Sequence, residues 1–384
     1  MAAQLSGATS RAWAEIDLAA LSANLGTIRR QVGAGRRIIA IVKADAYGHG
    51  SIRVARRLSA EGVEMLGVAT PEEGVQLRRA GIRTPILVVG AIAPERIAEA
   101  AAEGLTIVAY SQAFLAALLE EGRRRGGPVP FHLKLDTGMG RLGLMPEELS
   151  AALRGLAAAP SRLEGVLTTL SCADDPDDRH TAAQLRLFED LLAEIRAAGL
   201  DPDFIHAANS GGILNNPASW HNAVRPGIIL YGVPPSERPC TLDLRPVLSF
   251  KTRVMMVKRV PKGTPLGYGR SRVTERPSLI GTLGVGYADG LNRLLSDTGH
   301  ALVNGRPAPY AGRISMDHAM VDLTGVGEVA PGDEVVLVGG RGGAAITAWD
   351  FSRWCGTIPY EILCRVGERV PRVEIETGAA SGAL

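Results

Sequence analysis

The sequence has few cysteines, and their spacing matches no known framework. Only 4 of the 384 residues are cysteine, and they form neither a Cys-x-x-Cys pair nor a zinc-binding spacing. They are Cys172, Cys240, Cys355 and Cys364. We therefore expect buried or incidental thiols, which fit a reducing cytoplasm, and we expect no metal site.

An excess of one charge and a long apolar run are also missing. The 42 Lys and Arg residues balance 40 Asp and Glu residues, for a formal net charge of +2, and the basic clusters are scattered along the chain. This pattern argues against a nucleic-acid-binding surface. No apolar run reaches the roughly 18 residues of a membrane span, and residues 1–10 lack the features of a signal peptide. We expect a cytoplasmic protein that binds neither nucleic acid nor membranes.

Strand-like and helix-like segments alternate as far as residue 231. Because a single hydrophobic core stops growing at roughly 250–300 residues, a chain of 384 residues indicates two domains. The candidate parallel strands are residues 38–42, 65–69, 86–90, 105–110, 131–136, 163–170, 203–207 and 223–231. Eight such strands in about 200 residues are the scale of a (β/α)₈ barrel. Periodicity alone leaves a doubly wound open sheet as the alternative.

The pattern changes after Pro234 and Pro235. From Pro246 onward, strand-like runs alternate with Gly and Pro turns, and residues 347–355 form the clearest helical stretch. We therefore predict a (β/α)₈ barrel over residues 11–240 and a mainly β domain over residues 241–376.

Chemistry is expected where the parallel strands end, in either architecture. Lys43 follows the buried run of residues 38–42, so its ammonium must be exposed, ion-paired or covalently consumed. Taken alone, it is more simply explained as a solvated strand end or an ion-pair partner. A lysine in this position can also form a Schiff base with a carbonyl substrate or with pyridoxal phosphate.

Glycines and a serine follow two later strands. Ser210 precedes Gly211 and Gly212 at a predicted helix start, where free N–H groups favour a phosphate, although an ordinary N-cap is the simpler explanation of this motif taken alone. Gly227 permits close approach of a ligand, or simply forms a turn. The sequence thus offers a phosphate site without requiring one.

The segment Ile41-Val-Lys43-Ala-Asp-Ala-Tyr47-Gly-His-Gly resembles the pyridoxal-phosphate lysine motif of alanine racemases. Further segments of this sequence agree in order with that family. They are residues 132–143, 206–210, 224–228, 267–269, 286–290 and 312–317. The resemblance implies a fold-type III pyridoxal-phosphate barrel followed by a β-rich domain, with the residues before about 17 pairing with that second domain.

The resemblance also implies roles for individual residues. Lys43 binds the cofactor covalently and is one catalytic base, while Tyr268, from the second subunit of a head-to-tail homodimer, is the other. The implied cofactor-binding residues are Lys43, Tyr47, Asn209, Ser210, Arg225, Gly227, Ile228 and Tyr360. The implied substrate-carboxylate residues are Arg141 and Met316. The implied supporting residues are Lys134, which is often carbamylated in the family, and His206, Tyr287, Asp317 and Thr169.

These residue types suit racemisation. A proton must leave one face of Cα and return to the other, which two acid/base groups on opposite faces achieve. Arg225 matches the family's partner of the pyridine nitrogen. Since a guanidinium only donates hydrogen bonds, it keeps that nitrogen unprotonated, which weakens the cofactor as an electron sink and discourages transamination.

Thr169 departs from the family pattern, which usually has a histidine at this position. A threonine can hydrogen-bond, but it neither titrates near neutral pH nor stacks on a ring. We hypothesise that the proton relay to Tyr268 is weakened, or rerouted through His206 or water.

The predicted function is interconversion of L- and D-alanine, which supplies D-alanine for peptidoglycan. A racemase of broader specificity, such as a serine racemase, is an alternative, because sequence does not position the loops around the substrate. A non-catalytic pyridoxal-phosphate-binding protein is another, although such carriers lack a β domain. A decarboxylase of the same fold type is disfavoured, because the C-terminal half lacks the Cys-Asp pair that those enzymes use.

Overall fold

The computed structural model describes residues 10–341 and 344–377, which form two compact units. The barrel unit comprises Ser22–Ala46 and Ser51–Leu244. The β unit comprises the described residues up to Leu21, the short stretch Tyr47–Gly50, and the described residues from Arg245 onward.

The elements follow one another with short connections. In chain order the strands are β1 (Ala12–Asp17), β2 (Arg37–Ile41), β3 (Met65–Val68), β4 (Ile86–Val88), β5 (Thr106–Ala109), β6 (Pro130–Lys134), β7 (Arg162–Leu167), β8 (Phe204–His206), β9 (Ala223–Val224), β10 (Leu248–Val260), β11 (Pro265–Leu266), β12 (Arg272–Val273), β13 (Ser278–Leu283), β14 (His300–Val303), β15 (Arg306–Pro309), β16 (Ala319–Asp322), β17 (Glu334–Arg341), β18 (Ala344–Ile346) and β19 (Arg372–Ile375). The helices are α1 (Leu18–Val32), α2 (Lys43–Gly48), α3 (Ser51–Ala60), α4 (Pro71–Arg79), α5 (Ile97–Ala102), α6 (Gln112–Arg125), α7 (Leu149–Ala157), α8 (Arg179–Ala197), α9 (Ser210–Asn215), α10 (Ala348–Cys355) and α11 (Pro359–Cys364).

Strands β2 to β9 form one parallel sheet in the order β8-β7-β6-β5-β4-β3-β2-β9. Strand β9 pairs with β2, Ala223 lying opposite Arg37. A backbone hydrogen bond of 2.9 Å from Arg225 N–H to the carbonyl of Ala208 joins the segments that follow β9 and β8. The sheet is therefore a nearly closed barrel, which confirms the predicted fold class over the open-sheet alternative.

Local sequence explains how the barrel helices begin and pack. Helix α4 starts with a capping box, in which the Thr70 hydroxyl accepts the N–H of Glu73 and Pro71 occupies the first helical position. Strands β3 and β5 are buried along their whole length, as expected for strands covered on both faces.

The last barrel strand is shorter than the pattern predicted. Residues 223–231 were expected to form one strand, but β9 contains only Ala223 and Val224, and residues 228–231 form a 3₁₀ turn. Pro226 has no N–H to donate to a neighbouring strand, which explains why regular pairing stops before it.

Helix α2, directly after β2, is a left-handed turn. The φ angles of Ala44, Asp45, Ala46 and Tyr47 are 53°, 51°, 54° and 55°. This conformation costs roughly 1–2 kcal/mol for each non-glycine residue, so it persists only where surrounding contacts enforce it. Such strain is typical of functional segments.

The β unit is built around the long strand β10. Its main sheet has the order β15-β14-β17-β10-β1-β19, with β13 also pairing with β10 and with β16. Strand β1 runs antiparallel to β10 and parallel to β19. This confirms the predicted mainly β second domain.

Candidate active site

A buried polar chain crosses the interior of the barrel unit. Arg225 donates from Nη1 to Nδ1 of His206 at 2.9 Å, and Nε2 of His206 lies 2.8 Å from Nδ1 of His132. Nε2 of His132 is 3.7 Å from a carboxylate oxygen of Glu164, which is close enough for attraction but too long for a hydrogen bond.

The donor at one end fixes the tautomers along this chain. Since a guanidinium can only donate, Nδ1 of His206 accepts, and neutral His206 carries its proton on Nε2. That proton is donated to Nδ1 of His132, whose own proton then lies on Nε2, towards Glu164. Burial, followed by repulsion from Arg225, holds the pKa of His206 well below its usual range. Burial also lowers the pKa of His132, although Glu164 opposes this shift. Both imidazoles are therefore neutral at neutral pH.

Arg225 is further held by three carbonyl groups. Its Nη2 donates to the carbonyls of Thr168 at 2.8 Å and Ala207 at 3.1 Å, and Nη1 also donates to the carbonyl of His206 at 2.7 Å. Burial lowers the pKa of Arg225 to about 10, so the group stays charged at neutral pH. In the described part of the chain its hydrogen bonds start from Nη1 and Nη2, which leaves Nε as the donor for a ligand.

Three cationic side chains of the barrel unit lower the pKa of a fourth, Lys134, by electrostatic repulsion. The pKa of Lys134 is lowered to about 8, first by burial and then by repulsion from Arg225, Arg141 and Lys43, while Asp136 opposes the shift. Lys134, which the resemblance gives a supporting role, thus lies within electrostatic range of Lys43, Arg141 and Arg225, to which it gives cofactor and substrate roles. Such a cluster attracts an anionic ligand.

The loop that carries Arg141 is wrapped around one carboxylate. Oδ1 of Asp136 accepts the N–H groups of Gly138, Met139 and Gly140 at 2.9, 2.8 and 3.1 Å, and Oδ2 accepts that of Arg141 at 3.1 Å. Burial raises the pKa of Asp136, but the four N–H groups outweigh it and the net shift is downward. The carboxylate therefore fixes the backbone from which Arg141 extends.

The residues predicted to bind phosphate are joined by a hydrogen bond. Gly227 N–H donates to the Ser210 hydroxyl at 3.0 Å. Ser210 begins α9, where Asn209 caps the helix by accepting the N–H of Gly212 at 3.0 Å. The N–H groups of a first helical turn have no partner within the helix, so they suit a phosphate.

The donors of the barrel unit fit pyridoxal phosphate. The cofactor needs a primary amine, an anion site and a partner for its ring nitrogen. Lys43, the start of α9 with Ser210, and Nε of Arg225 are groups of those three types. Among residues 10–341 and 344–377, no group of three or more His, Cys, Asp or Glu side chains could hold a metal ion.

In the β unit, the two tyrosines predicted to bind the cofactor lie close together. The rings of Tyr47 and Tyr360 have centroids 6.1 Å apart. Tyr47 is buried, and burial, followed by Tyr360 and Cys364, raises its pKa. Its hydroxyl therefore stays protonated, as a hydrogen-bond donor to an anion must.

Other predicted residues of the β unit lie at its surface. Tyr268 is 73% exposed and Met316 is 52% exposed. Tyr268 lines a depression of 360 Å³ together with Arg313 and His318.

An ion-pair cluster fixes the Met316 loop. The buried carboxylate of Asp289 accepts from Arg11 and from Arg369, each at 2.7 Å. Arg369 also donates to the carboxylate of Asp317 at 2.7 Å. Tyr287, two residues before Asp289, donates its N–H to the carbonyl of Ser315 at 3.0 Å. The turn after Gly286 and the Met316 loop are therefore held together.

Thr169 lies at the end of the β7 segment. Its carbonyl accepts from Nε2 of the buried Gln184 at 3.0 Å, so its backbone is anchored by α8. The neighbouring Thr168 pairs its hydroxyl with that of Thr137 at 2.7 Å.

Sequence reasoning gave His132 and Glu164 no role. His132 precedes Lys134 by two residues on β6, and alternate residues of a strand share a face. That spacing was the available signal for His132. A glutamate inside a barrel strand was the signal for Glu164.

Comparison with known proteins agrees with this geometry. The family model for the alanine racemase N-terminal domain matches residues 16–235, and that for the C-terminal domain matches residues 247–374. The alanine racemases of Symbiobacterium thermophilum and Syntrophobacter fumaroxidans are each 43% identical to this chain, over 94% and 93% of it and 96% of their own lengths.

Solved structures of alanine racemases share the fold. That from Streptomyces coelicolor is 38% identical with a TM-score of 0.91, covering 96% of this chain and 99% of that one. That from Bartonella henselae, which has covalently bound pyridoxal phosphate, is 31% identical with a TM-score of 0.87, covering 95% of this chain and all of that one. The chain therefore belongs to the alanine racemase family of pyridoxal-phosphate-dependent isomerases.

Proposed function

We propose that this chain interconverts L- and D-alanine with pyridoxal phosphate and two bases, Lys43 and Tyr268. The observation that carries the proposal is the setting of Arg225, a buried and permanently charged donor anchored by His206 and three carbonyls. Such a group suits a cofactor whose ring nitrogen must stay unprotonated. Membership of the family supports alanine as the substrate.

The residues divide the work as follows. Bound pyridoxal phosphate supplies stabilisation of negative charge at the substrate Cα. Lys43 removes or returns the Cα proton on one face, and the Tyr268 hydroxyl of a second copy does so on the other. Arg141 and the backbone of Met316 bind the substrate carboxylate. Arg225 donates to the ring nitrogen and prevents its protonation.

In this proposal the cofactor phosphate accepts hydrogen bonds from hydroxyl and backbone N–H groups. Ser210, Gly227 and Ile228 supply a hydroxyl and backbone N–H groups, and Asn209 fixes the start of α9. Tyr47 and Tyr360 supply hydroxyl donors.

Lys134 is proposed to be carbamylated. Carbamylation requires a neutral amine, and a pKa of about 8 increases the neutral fraction relative to an ordinary lysine. The resulting anion would relieve repulsion among Arg141, Arg225 and Lys43, and would orient Arg141.

The active enzyme is proposed to be a homodimer whose subunits share their sites. The support is exposed apolar surface on the β unit, which is typical of an interface. The exposed large side chains there include Met255, Met256, Tyr268, Val273, Tyr287 and Met316.

In this proposal, tyrosines near the substrate favour an amino acid with a small side chain. We further propose that the enzyme is cytoplasmic and supplies D-alanine for peptidoglycan. Within the described residues, no helix has both the length and the apolar character needed to span a membrane.

A racemase assay on a panel of L-amino acids tests this function. We expect rapid loss of optical rotation from L-alanine and at least tenfold slower turnover of L-lysine and L-arginine. Lys43→Ala abolishes activity, and Tyr268→Phe lowers it by roughly a hundredfold or more. Equal turnover of lysine would contradict the alanine assignment. Bound cofactor without racemisation would indicate a carrier, and release of carbon dioxide would indicate a decarboxylase.

A further inference from the structure

We propose that Glu73 is a positioning residue that holds the left-handed turn after Lys43 and thereby aims that lysine. This inference rests on the proposed function of Lys43. Glu73 lies in the first turn of α4, and its Oε1 accepts the N–H of Ala44 at 2.7 Å. Its Oε2 accepts the N–H of Ala69, at the end of β3, at 2.6 Å.

The two carboxylate oxygens connect the ends of neighbouring barrel strands. Ala69 follows β3, while Ala44 belongs to the turn after β2. The N–H of Val42 already donates to the carbonyl of Gly67 at 2.8 Å, which continues the pairing of these strands. After Val42 the left-handed turn prevents further pairing of the two strands. Glu73 continues the connection there by accepting the N–H groups of Ala44 and Ala69.

The turn needs such a contact because its backbone is strained. Ala44, Asp45 and Ala46 have φ angles of 53°, 51° and 54°, which residues with a Cβ rarely adopt in succession. Within the turn, the N–H of Ala46 donates to the carbonyl of Val42 at 2.9 Å. Asp45 accepts the N–H of Ser51 at 2.6 Å. Glu73 adds a charged acceptor from a separate helix, at the first strained residue.

Ala44 is the residue through which Glu73 acts on Lys43. The peptide plane between Lys43 and Ala44 contains the N–H that donates to Glu73. Rotation of that plane changes ψ of Lys43 and φ of Ala44, and with them the orientation of the Lys43 side chain relative to the turn that follows it. Because a small misplacement of a reacting group lowers rates severely, the carboxylate contributes to catalysis without touching substrate or cofactor.

Glu73→Gln tests the proposal with little change of shape. A carboxylate can accept both N–H groups, whereas an amide has one acceptor oxygen and turns its NH₂ group towards the other N–H. We expect kcat to fall about tenfold or more and the KM for alanine to change less than threefold. The dissociation constant for pyridoxal phosphate should rise about tenfold. In cofactor-free protein, amide hydrogen exchange over residues 42–48 should become faster.

Two matched variants separate positioning from general damage. Glu72→Gln removes the same charge from the neighbouring residue, which pairs with Arg96 at the surface. Thr70→Ala weakens the start of α4 without removing the contact to Ala44. Both should keep kcat and cofactor affinity within about twofold of wild type. Losses from Thr70→Ala equal to those from Glu73→Gln would overturn the proposal, since helix damage would then explain both.

Ala44→Gly provides a rescue test. Glycine adopts the left-handed conformation without strain, so the turn should depend less on Glu73 when residue 44 is glycine. Adding Ala44→Gly to Glu73→Gln should recover most of the lost cofactor affinity and slow the exchange over residues 42–48. Absence of recovery, or a Glu73→Gln protein that behaves as wild type, would overturn the inference.

A separate experiment detects a failure of the proposed function. Borohydride reduction of the wild-type holoenzyme, followed by peptide mapping, should place the cofactor on Lys43. A label elsewhere would refute the proposed function, whereas the exchange measurement on cofactor-free protein still reports whether Glu73 holds the turn.

Discussion

Thr169 stands where the family resemblance leads us to expect a histidine. Our hypothesis offered His206 as one alternative route for the proton relay to Tyr268. His206 is buried, its pKa lies well below the usual range, and both its ring nitrogens are engaged. It therefore does not titrate near neutral pH, which favours water as the alternative carrier.

Thr169→His should consequently add a titrating group where the chain has none. We expect higher turnover and a new limb in the profile of kcat against pH, near the ordinary histidine pKa of about 6.5. The measurement is racemisation of L-alanine in both directions from pH 5 to 10. Thr169→Asn, a polar side chain that does not titrate, is the control. Identical profiles for the two variants would reject the hypothesis.

Lys134 should make the protein less stable at neutral pH. Its folded pKa of about 8 lies below the unfolded value of about 10.4. Between these values the unfolded state binds more protons, so stability rises with pH there, and below 8 the full penalty is present. In buffer free of carbon dioxide at pH 7, Lys134→Met should raise the free energy of unfolding by about 1–3 kcal/mol.

Thermal unfolding from pH 7 to 10 measures this effect, and the gain should shrink as the pH rises above 8. Lys134→Arg keeps the charge and should show no gain. A less stable Lys134→Met protein at pH 7 would contradict the prediction. Added ¹³C-bicarbonate should give wild type, but neither variant, a carbamate signal by NMR.

The Asp136 loop is the element that determines where Arg141 stands. Asp136→Asn removes the charge and turns an NH₂ group towards one of the four N–H donors. We expect the KM for alanine to rise about tenfold with a smaller change in kcat, because Arg141 binds the substrate carboxylate. Asp190→Asn, at an exposed position of α8, is the matched control. An unchanged KM would show that the loop holds its shape without the carboxylate.

The same variant should alter stability in acid. Because the folded pKa of Asp136 is lowered, its stabilisation is complete above the ordinary value of about 3.9 and is lost as the pH falls through the folded value. Asp136→Asn should lack this part of the acid dependence in thermal unfolding below pH 5.

Elements with a strong local signal could be predicted from sequence. The start of α4 at Thr70, Pro71 and Glu73 follows from capping chemistry, and the barrel follows from repeated buried strands. The left-handed turn after β2 could not be predicted, because residues with a Cβ rarely adopt that conformation in succession. The Glu73 carboxylate that accepts the N–H of Ala44 lies 29 residues away in sequence. The short strands of the β unit, such as β11 and β12, were missed because two residues carry no period.

In the candidate site, too, local signals could be predicted from the sequence, whereas contacts between distant residues could not. The position at a strand end singled out Lys43, and the family motifs added Lys134 and Arg225 and the roles proposed for all three. The chain from Arg225 to Glu164 depends on which side chains meet inside a closed barrel, and pairings of that kind are not encoded in local pattern. Likewise, Asp289 pairs with Arg11 and Arg369, residues that are far apart in sequence.

At the scale of the whole molecule, the proposal requires two chains for each site. Tyr268 is 73% exposed in the isolated chain, whereas a base that acts on a substrate Cα must be shielded from water. A second copy supplies that shielding in our proposal. The two catalytic bases of any one site would then come from different subunits, which mixing of variants can test.

Lys43→Ala and Tyr268→Phe should complement each other when mixed. Each homodimer has a defect in both sites and should be nearly inactive. In a mixed dimer, one site receives both defects, while the other combines the intact Lys43 of one chain with the intact Tyr268 of its partner. Random exchange of equal amounts gives one mixed dimer in two, so activity should recover to roughly one quarter of wild type. The measurement is L-alanine racemisation after the two variants are unfolded and refolded together. No recovery, with mixed dimers confirmed by differently tagged chains, would show that both bases act within one chain.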